Sequence, residues 1–140
     1  MSGRRRRWGR RLRERPARVN AFSLREGRRA IEQHGSIGAS VRHLARPSTC
    51  AQLVSIDLEP GGVLGRHNAA VNQLFIVVSG GGWVSGGDGR EEPISAGAAV
   101  YWVAGESHVT RAGDDGLRAI VLEGEFSSPE ELLDPVGPGD

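Results

Sequence analysis

From about residue 38 onward, apolar and polar positions exchange with a period near two, in short runs separated by glycine-rich breaks. Period two is the signature of strands, because successive side chains leave a strand on opposite faces. The runs Ser40–Ala45 and Ala51–Leu58 predict two strands joined by a turn at Arg46–Thr49, and Glu59–Gly62 ends the second. Gln73–Val78 is apolar on both alternating faces, which predicts a strand buried on both sides. Trp83–Ser85 and Glu91–Ile94 flank the loop Gly86–Gly89, whose glycines and aspartate tolerate positive φ, so they predict a hairpin. Ser79–Gly82 lacks the pattern of a phosphate loop and reads as hairpin geometry too. Ala98–Val103, His108–Arg111 and Leu117–Glu123 complete the set, broken at Gly105–Ser107 and Gly113–Gly116. Seven or eight short strands at this spacing predict an all-β sandwich or barrel. Helical patterning is confined to the ends: Arg25–Gln33 closed by Gly35, and a capping box at Ser128–Glu131 with proline in the first helical position.

The chain has 140 residues, enough for one domain with its own core. A single cysteine, Cys50, rules out an internal disulfide framework and fits a reducing compartment; it reads as a structural thiol. No apolar run reaches membrane-spanning length, and the arginine-rich start is not followed by an apolar signal region, so the expectation is a cytoplasmic protein with no membrane contact. The net charge of +1 conceals a division: residues 1–29 carry +10 and residues 30–140 carry −9, with no lysine anywhere. Arginine to the exclusion of lysine, with abundant glycine and alanine, points to a GC-rich coding sequence. The arginines of residues 4–11, with Trp8 among them, would suit nucleic acid, but no nucleic-acid-binding fold motif follows and nucleic-acid binding is the disfavoured reading. Residues 1–18 are instead expected to form a basic, unfolded head, with Val19 as an alternative start of the functional protein. The expected domain is 19–126, and residues 127–140 are a C-terminal helix and tail.

Two stretches carry candidate chemistry. The first runs from Gly62 through His67 and Gln73 to Gly80; the second runs from Val103 through Gly105 to His108. Their spacing resembles the paired motifs of the cupin family, roughly G-x5-H-x-H-x(3–4)-E-x6-G and G-x5-P-x-G-x2-H-x3-N, and the resemblance covers about residues 40–123. It implies a cupin-type jelly-roll β-barrel and places His67 and His108 at the first and last ligand positions. Ala69 stands where the family has its second histidine, Gln73 where it has glutamate, Val103 in place of the proline and Ala112 in place of the closing asparagine. The resemblance therefore implies a divalent metal (zinc, iron, manganese or nickel) held by His67, Gln73 and His108. It also implies a homodimer, because small cupins commonly pair sheet edges.

Imidazole suits these ions, whereas an amide oxygen is a weak neutral donor, so exchanging carboxylate for amide lowers affinity and leaves the ion its full charge. Phe75 shares the Gln73 face of its strand, and with Trp83, Tyr101 and Trp102 it is a candidate to line a small-molecule pocket. Arg66 is expected to point away from His67, Arg42 and Arg118 are candidates to reach an anionic ligand, and His34 and His43 are spare imidazoles. Asn68 and Asn72 are expected to stabilise the turn they flank. No nucleophile stands beside a base at a recognisable spacing, so the catalytic residues and the reaction stay open. The leading expectation is a metal-dependent small-molecule site inside the barrel; the alternative is a metal-free, non-catalytic ligand-binding or sensing cupin.

Overall fold

A computed structural model describes residues 19–24, 29–32, 36–37, 39–41, 44–45 and 47–136. The basic head, His34, Arg42 and His43 lie outside the described residues. The strands are β1 (Asn20–Ser23), β2 (Arg29–Ile31), β3 (Ala39–Val41), β4 (Thr49–Leu58), β5 (Val63–Asn68), β6 (Asn72–Ser85), β7 (Glu91–Ser95), β8 (Ala98–Trp102), β9 (Ser107–Glu125) and β10 (Asp134–Pro135). Eight of them form one antiparallel sheet in the order β10-β1-β8-β6-β9-β4, with β5 paired to β9 and β7 to β6; β2 and β3 pair with each other. The fold is all-β as expected, but the sheet does not close: its path ends at β4 and β10, so the expected closed barrel is corrected to an open sheet.

Two strands are much longer than their sequence pattern suggests. β6 and β9 run side by side from Asn72 opposite Gly124 to Ser85 opposite Val109, with register shifts between Val77 and Ser79 and between Gly80 and Gly82. Ser79–Gly82 is thus no hairpin, and Gly113–Gly116 is no break between strands. The glycines serve close approach instead. Gly80 holds φ at 71°, and a Cβ there would collide with the Gly116 carbonyl, so the two glycine-rich stretches meet where the long strands bend.

The bend brings two halves of the sheet into one core. Phe75, Val77, Val100, Trp102, Ala119 and Val121 come from one half, and Val84, Ile94 and Ala112 from the other. This is the core face. The opposite face is covered by a second cluster of Phe22, Leu74, Ala99, Tyr101, Phe126 and Leu133. Strict alternation assigns these sets, since Leu74 and Ile76 face one way and Phe75 and Val77 the other.

The terminal helices are corrected as well. Arg29–Ile31, inside the expected Arg25–Gln33 helix, is strand β2; Arg25–Arg28 and the closing Gly35 lie outside the described residues. At the C-terminus only one 3-10 turn forms, over Pro129–Glu131. Ser128 makes no side-chain cap there; its hydroxyl accepts from Asn20 Nδ2 at 3.1 Å, which ties the turn to β1. Among the described residues no helix is long and apolar enough to cross a membrane.

Candidate functional site

A single ladder row crosses four strands of the sheet: Gln52 on β4, Glu123 on β9, Gln73 on β6 and Trp102 on β8 stand directly opposite one another. Directly opposed residues project to the same face. The next row inward, Val54–Val121–Phe75–Val100, is apolar and belongs to the core face. The polar row therefore closes one end of the apolar core.

The two histidines arrive from the other half of the fold. His67 on β5 is the direct partner of His108 on β9, and their rings meet edge to face with centroids 4.5 Å apart. His108 is buried, whereas His67 is exposed. The Trp102 indole stacks on His108 at 4.6 Å with 12° between planes, which joins the histidine pair to the polar row. Its neighbourhood is fixed by a turn at Val103–Glu106. Glu106 N–H donates to Val103 O at 2.9 Å, Val103 N–H donates to Glu106 Oε1 at 2.8 Å, and Gly105 supplies φ of 88°. Two backbone bonds then strap this turn to the end of β5: Gly105 N–H to Ala69 O at 2.7 Å and Ala69 N–H to Glu106 O at 3.0 Å. Asn72, expected to stabilise the turn it flanks, accepts from Ala104 N–H and donates to Phe126 O, each at 2.9 Å, and so ties the start of β6 to the Val103–Glu106 turn instead.

Hydrogen-bond donors and acceptors at the site sort in one direction. His67 Nδ1 lies 2.6 Å from Gly65 O, and His108 Nδ1 lies 3.0 Å from Glu106 O. A carbonyl only accepts, so each Nδ1 must carry the proton, and in the neutral ring Nε2 keeps the lone pair. Burial pushes the His108 pKa down; the bond to Glu106 O opposes this, and the charges of His67 and Arg66 reinforce it. Its neutral form is favoured. Gln73 Nε2 donates to Glu123 Oε1 at 2.6 Å, so the NH₂ end of the amide faces Glu123 and Oε1 is its acceptor end. Both histidines thus spend Nδ1–H on backbone carbonyls, and Gln73 turns its NH₂ toward Glu123 and its Oε1 away from it. The other carboxylate nearby, Glu106, is shifted up, chiefly by burial and against the opposing bond from Val103 N–H.

Of the expected pocket residues, Phe75 and Trp102 lie on the core face. Tyr101 and Trp83 do not join them. Tyr101 belongs to the opposite cluster and donates its hydroxyl to Phe126 O at 2.8 Å. Trp83 alternates with core-facing Val84 and stacks under Arg111, whose guanidinium carbon lies 4.3 Å from the ring centroid and which pairs with Glu91 at 3.0 Å. Arg66 binds Ser107 Oγ at 2.9 Å and Gly86 O at 3.2 Å; Arg118 is spent on an exposed pair with Asp57 at 2.6 Å. Cys50 is an exposed free thiol. Glu123 and Gln52 are the additions that motif reading misses. Period-two counting from Val121 places Glu123 on the core face, but neither motif includes it.

Among the described residues, no three or more His, Cys, Asp or Glu side chains are grouped to hold a metal ion. The imidazoles brought together are His67 and His108, and Gln73 stands in the row that Trp102 joins to them. Both imidazoles are oriented through Nδ1 by backbone carbonyls, the usual outer-shell support of metal-binding histidines. Two imidazoles so oriented suit a divalent ion, and the Gln73 amide oxygen would be a third, neutral donor.

Residues 54–125 match the cupin domain family. The chain belongs to that family. No curated protein matches it. Among solved structures, a cupin protein from Bacteroides fragilis is similar with a TM-score of 0.50 at 16% identity, covering 55% of this chain and 67% of that one. An oxalate decarboxylase from B. subtilis has a TM-score of 0.50 at 18% identity, covering 84% of this chain but 32% of that one. A predicted oxalate decarboxylase from Thermotoga maritima has a TM-score of 0.48 at 23% identity, covering 52% of this chain; this chain spans 64% of its length. At these identities the likeness concerns the fold.

Proposed function

We propose that this cupin binds a small molecule where the polar row meets the histidine pair, and that a divalent metal ion is held there by Nε2 of His67, Nε2 of His108 and Oε1 of Gln73. The observation that carries this reading is the common polarity of the three groups. Each histidine spends Nδ1–H on a backbone carbonyl and Gln73 turns its NH₂ to a carboxylate, so the opposite atoms, two Nε2 and one Oε1, are acceptors suited to a cation or a donor. A neutral ligand set leaves the ion's charge undiminished, and the ion when bound would polarise a ligand oxygen or acidify a bound water. Trp102 holds the His108 ring by stacking, and Phe75 supplies apolar wall beside the polar row.

A second reading, a metal-free ligand-binding cupin, is favoured by the state of Glu123. Its two oxygens are taken by Gln73 and Gln52, so the nearest carboxylate is not free as an anionic ligand. The same acceptors would then receive N–H or O–H groups of the ligand itself.

Calorimetric titration of tag-free, chelator-treated protein with Co²⁺ or Ni²⁺ separates the two. The expected result is one site per chain, weakened in His67→Ala by more than the roughly 10–100-fold typical of outer-shell changes. His67 is exposed, so this variant leaves the core intact; Arg118→Ala serves as a control with unchanged binding. Uptake that is substoichiometric, or indifferent to His67→Ala, overturns the metal reading and leaves the metal-free one.

A further inference from the structure

Glu123 belongs to neither motif, yet it stands at the centre of the polar row. Its Oε1 accepts from Gln73 Nε2 at 2.6 Å, and its Oε2 accepts from Gln52 Nε2. Gln73 lies on β6 and Gln52 on the sheet-edge strand β4, and each is the direct ladder partner of Glu123. One carboxylate on β9 therefore clamps an amide on either side.

The consequence for Gln73 is chemical rather than merely mechanical. A glutamine amide has two ends of nearly equal size, one donating and one accepting, and only its partners decide which way it faces. An ionised carboxylate accepts and never donates, so the end of Gln73 that meets Glu123 must be the NH₂. We infer that Glu123 is a positioning residue: its carboxylate, itself held by Gln52, locks the Gln73 amide with its NH₂ toward Glu123 and its Oε1 turned to the bound ligand. Without it, the same amide has no reason to present oxygen rather than nitrogen. This rests on the site proposed above, and it explains how glutamine serves at a position where cupins carry glutamate. The negative charge has moved one strand over, from the ligand position on β6 to its neighbour on β9, where it orients the neutral ligand.

Two variants test this in the full-length, tag-free, chelator-treated protein. Glu123→Gln replaces a pure acceptor by a group that either donates or accepts, with almost no change of shape. The double variant Gln73→Glu with Glu123→Gln restores an amide–carboxylate pair with the roles exchanged. Cobalt titration followed by the visible d–d bands is expected to show binding weakened about 10–100-fold in Glu123→Gln, the range for loss of an outer-shell partner. The band shape should change as well, and the double variant should recover at least the original affinity. A merely structural role for Glu123 would lower thermal stability without altering the cobalt spectrum of the bound form.

The orientation is also read without metal, from the side-chain amide protons of Gln73 in ¹⁵N-labelled protein, assigned by their loss in Gln73→Glu. Their separation should exceed that of a free glutamine amide in the original protein and fall back toward the free value in Glu123→Gln. Cobalt binding by Glu123→Gln equal to that of the original protein overturns the inference, as does an amide pair indifferent to the substitution. If the original protein takes up no cobalt while the Gln73 amide separation still falls to the free value in Glu123→Gln, the metal reading fails and the positioning role stands.

Discussion

Thr110 sits two residues beyond His108 on the same face of β9, fully buried, and its hydroxyl meets no partner among the described residues. The buried Trp102 Nε1 likewise has no partner among the described residues, although its ring stacks on His108. A buried polar group left unpaired costs about 1–3 kcal/mol. Valine has nearly the shape of threonine without the hydroxyl, so Thr110→Val is expected to stabilise the fold by about 1 kcal/mol in urea unfolding. A loss of stability instead would show that the hydroxyl bonds a buried water worth keeping. Residue-scale reading of the sequence reaches some of this site and misses the rest for a physical reason. His67, Gln73 and His108 are legible because fixed spacings within two strands carry them. Glu123 has no such spacing signal; its partners are 50 and 71 residues away in sequence, so only the sheet register brings them together. Tyr101 and Trp83 illustrate the converse. Aromatic character suggests a pocket wall, but strand parity turns both away from the core face.

At the scale of elements, β6 and β9 organise the molecule, and their glycines carry the argument. Read locally, Ser79–Gly82 looks like a chain reversal, because glycine is the residue of turns. In the fold the strand continues through it as a bulged bend, since its partner β9 continues too and the ladder outweighs local preference. Gly82 shows what the glycine is for: a Cβ there would run into the Arg111 carbonyl and Ala112 Cα. The neighbours are backbone, which cannot move aside as a flexible side chain would. Gly82→Ala is therefore expected to destabilise the protein by about 1–3 kcal/mol, the cost of overpacking a tight contact. Chemical denaturation would show this as a lower midpoint with an unchanged slope. An unaffected midpoint would mean that the two strands do not cross as closely as described. The capping box at Ser128–Glu131 fails as a helix signal for a comparable reason: Ser128 spends its hydroxyl on Asn20, and one 3-10 turn is all that follows.

The molecule as a whole has an open sheet, and an open sheet has edges to manage. β4 ends the sheet path, and among the described residues nothing pairs with its far side. Its first half is exposed throughout, and Leu53 is 66% exposed at the rim of a row that continues through Leu122 and Leu74. An edge carrying apolar side chains, with neither lysine nor proline along its 10 residues, lacks the usual protection against pairing with another chain. Two copies related by a two-fold axis can pair such edges antiparallel, each covering the Leu53 of the other. The expected state is accordingly a dimer, measured by light scattering on a sizing column, and Leu53→Lys should shift it to monomer without lowering the melting temperature of the monomer. Gln52 lies on the same strand and holds Glu123, so dimer formation at this edge would also steady the clamp on Gln73. A Leu53→Lys monomer should then bind cobalt more weakly than the dimer, although Leu53 projects to the face opposite Gln52. A wild-type monomer at micromolar concentration, or a dimer indifferent to Leu53→Lys, removes β4 as the interface. Equal cobalt affinity in the two states would instead confine the clamp to a single chain.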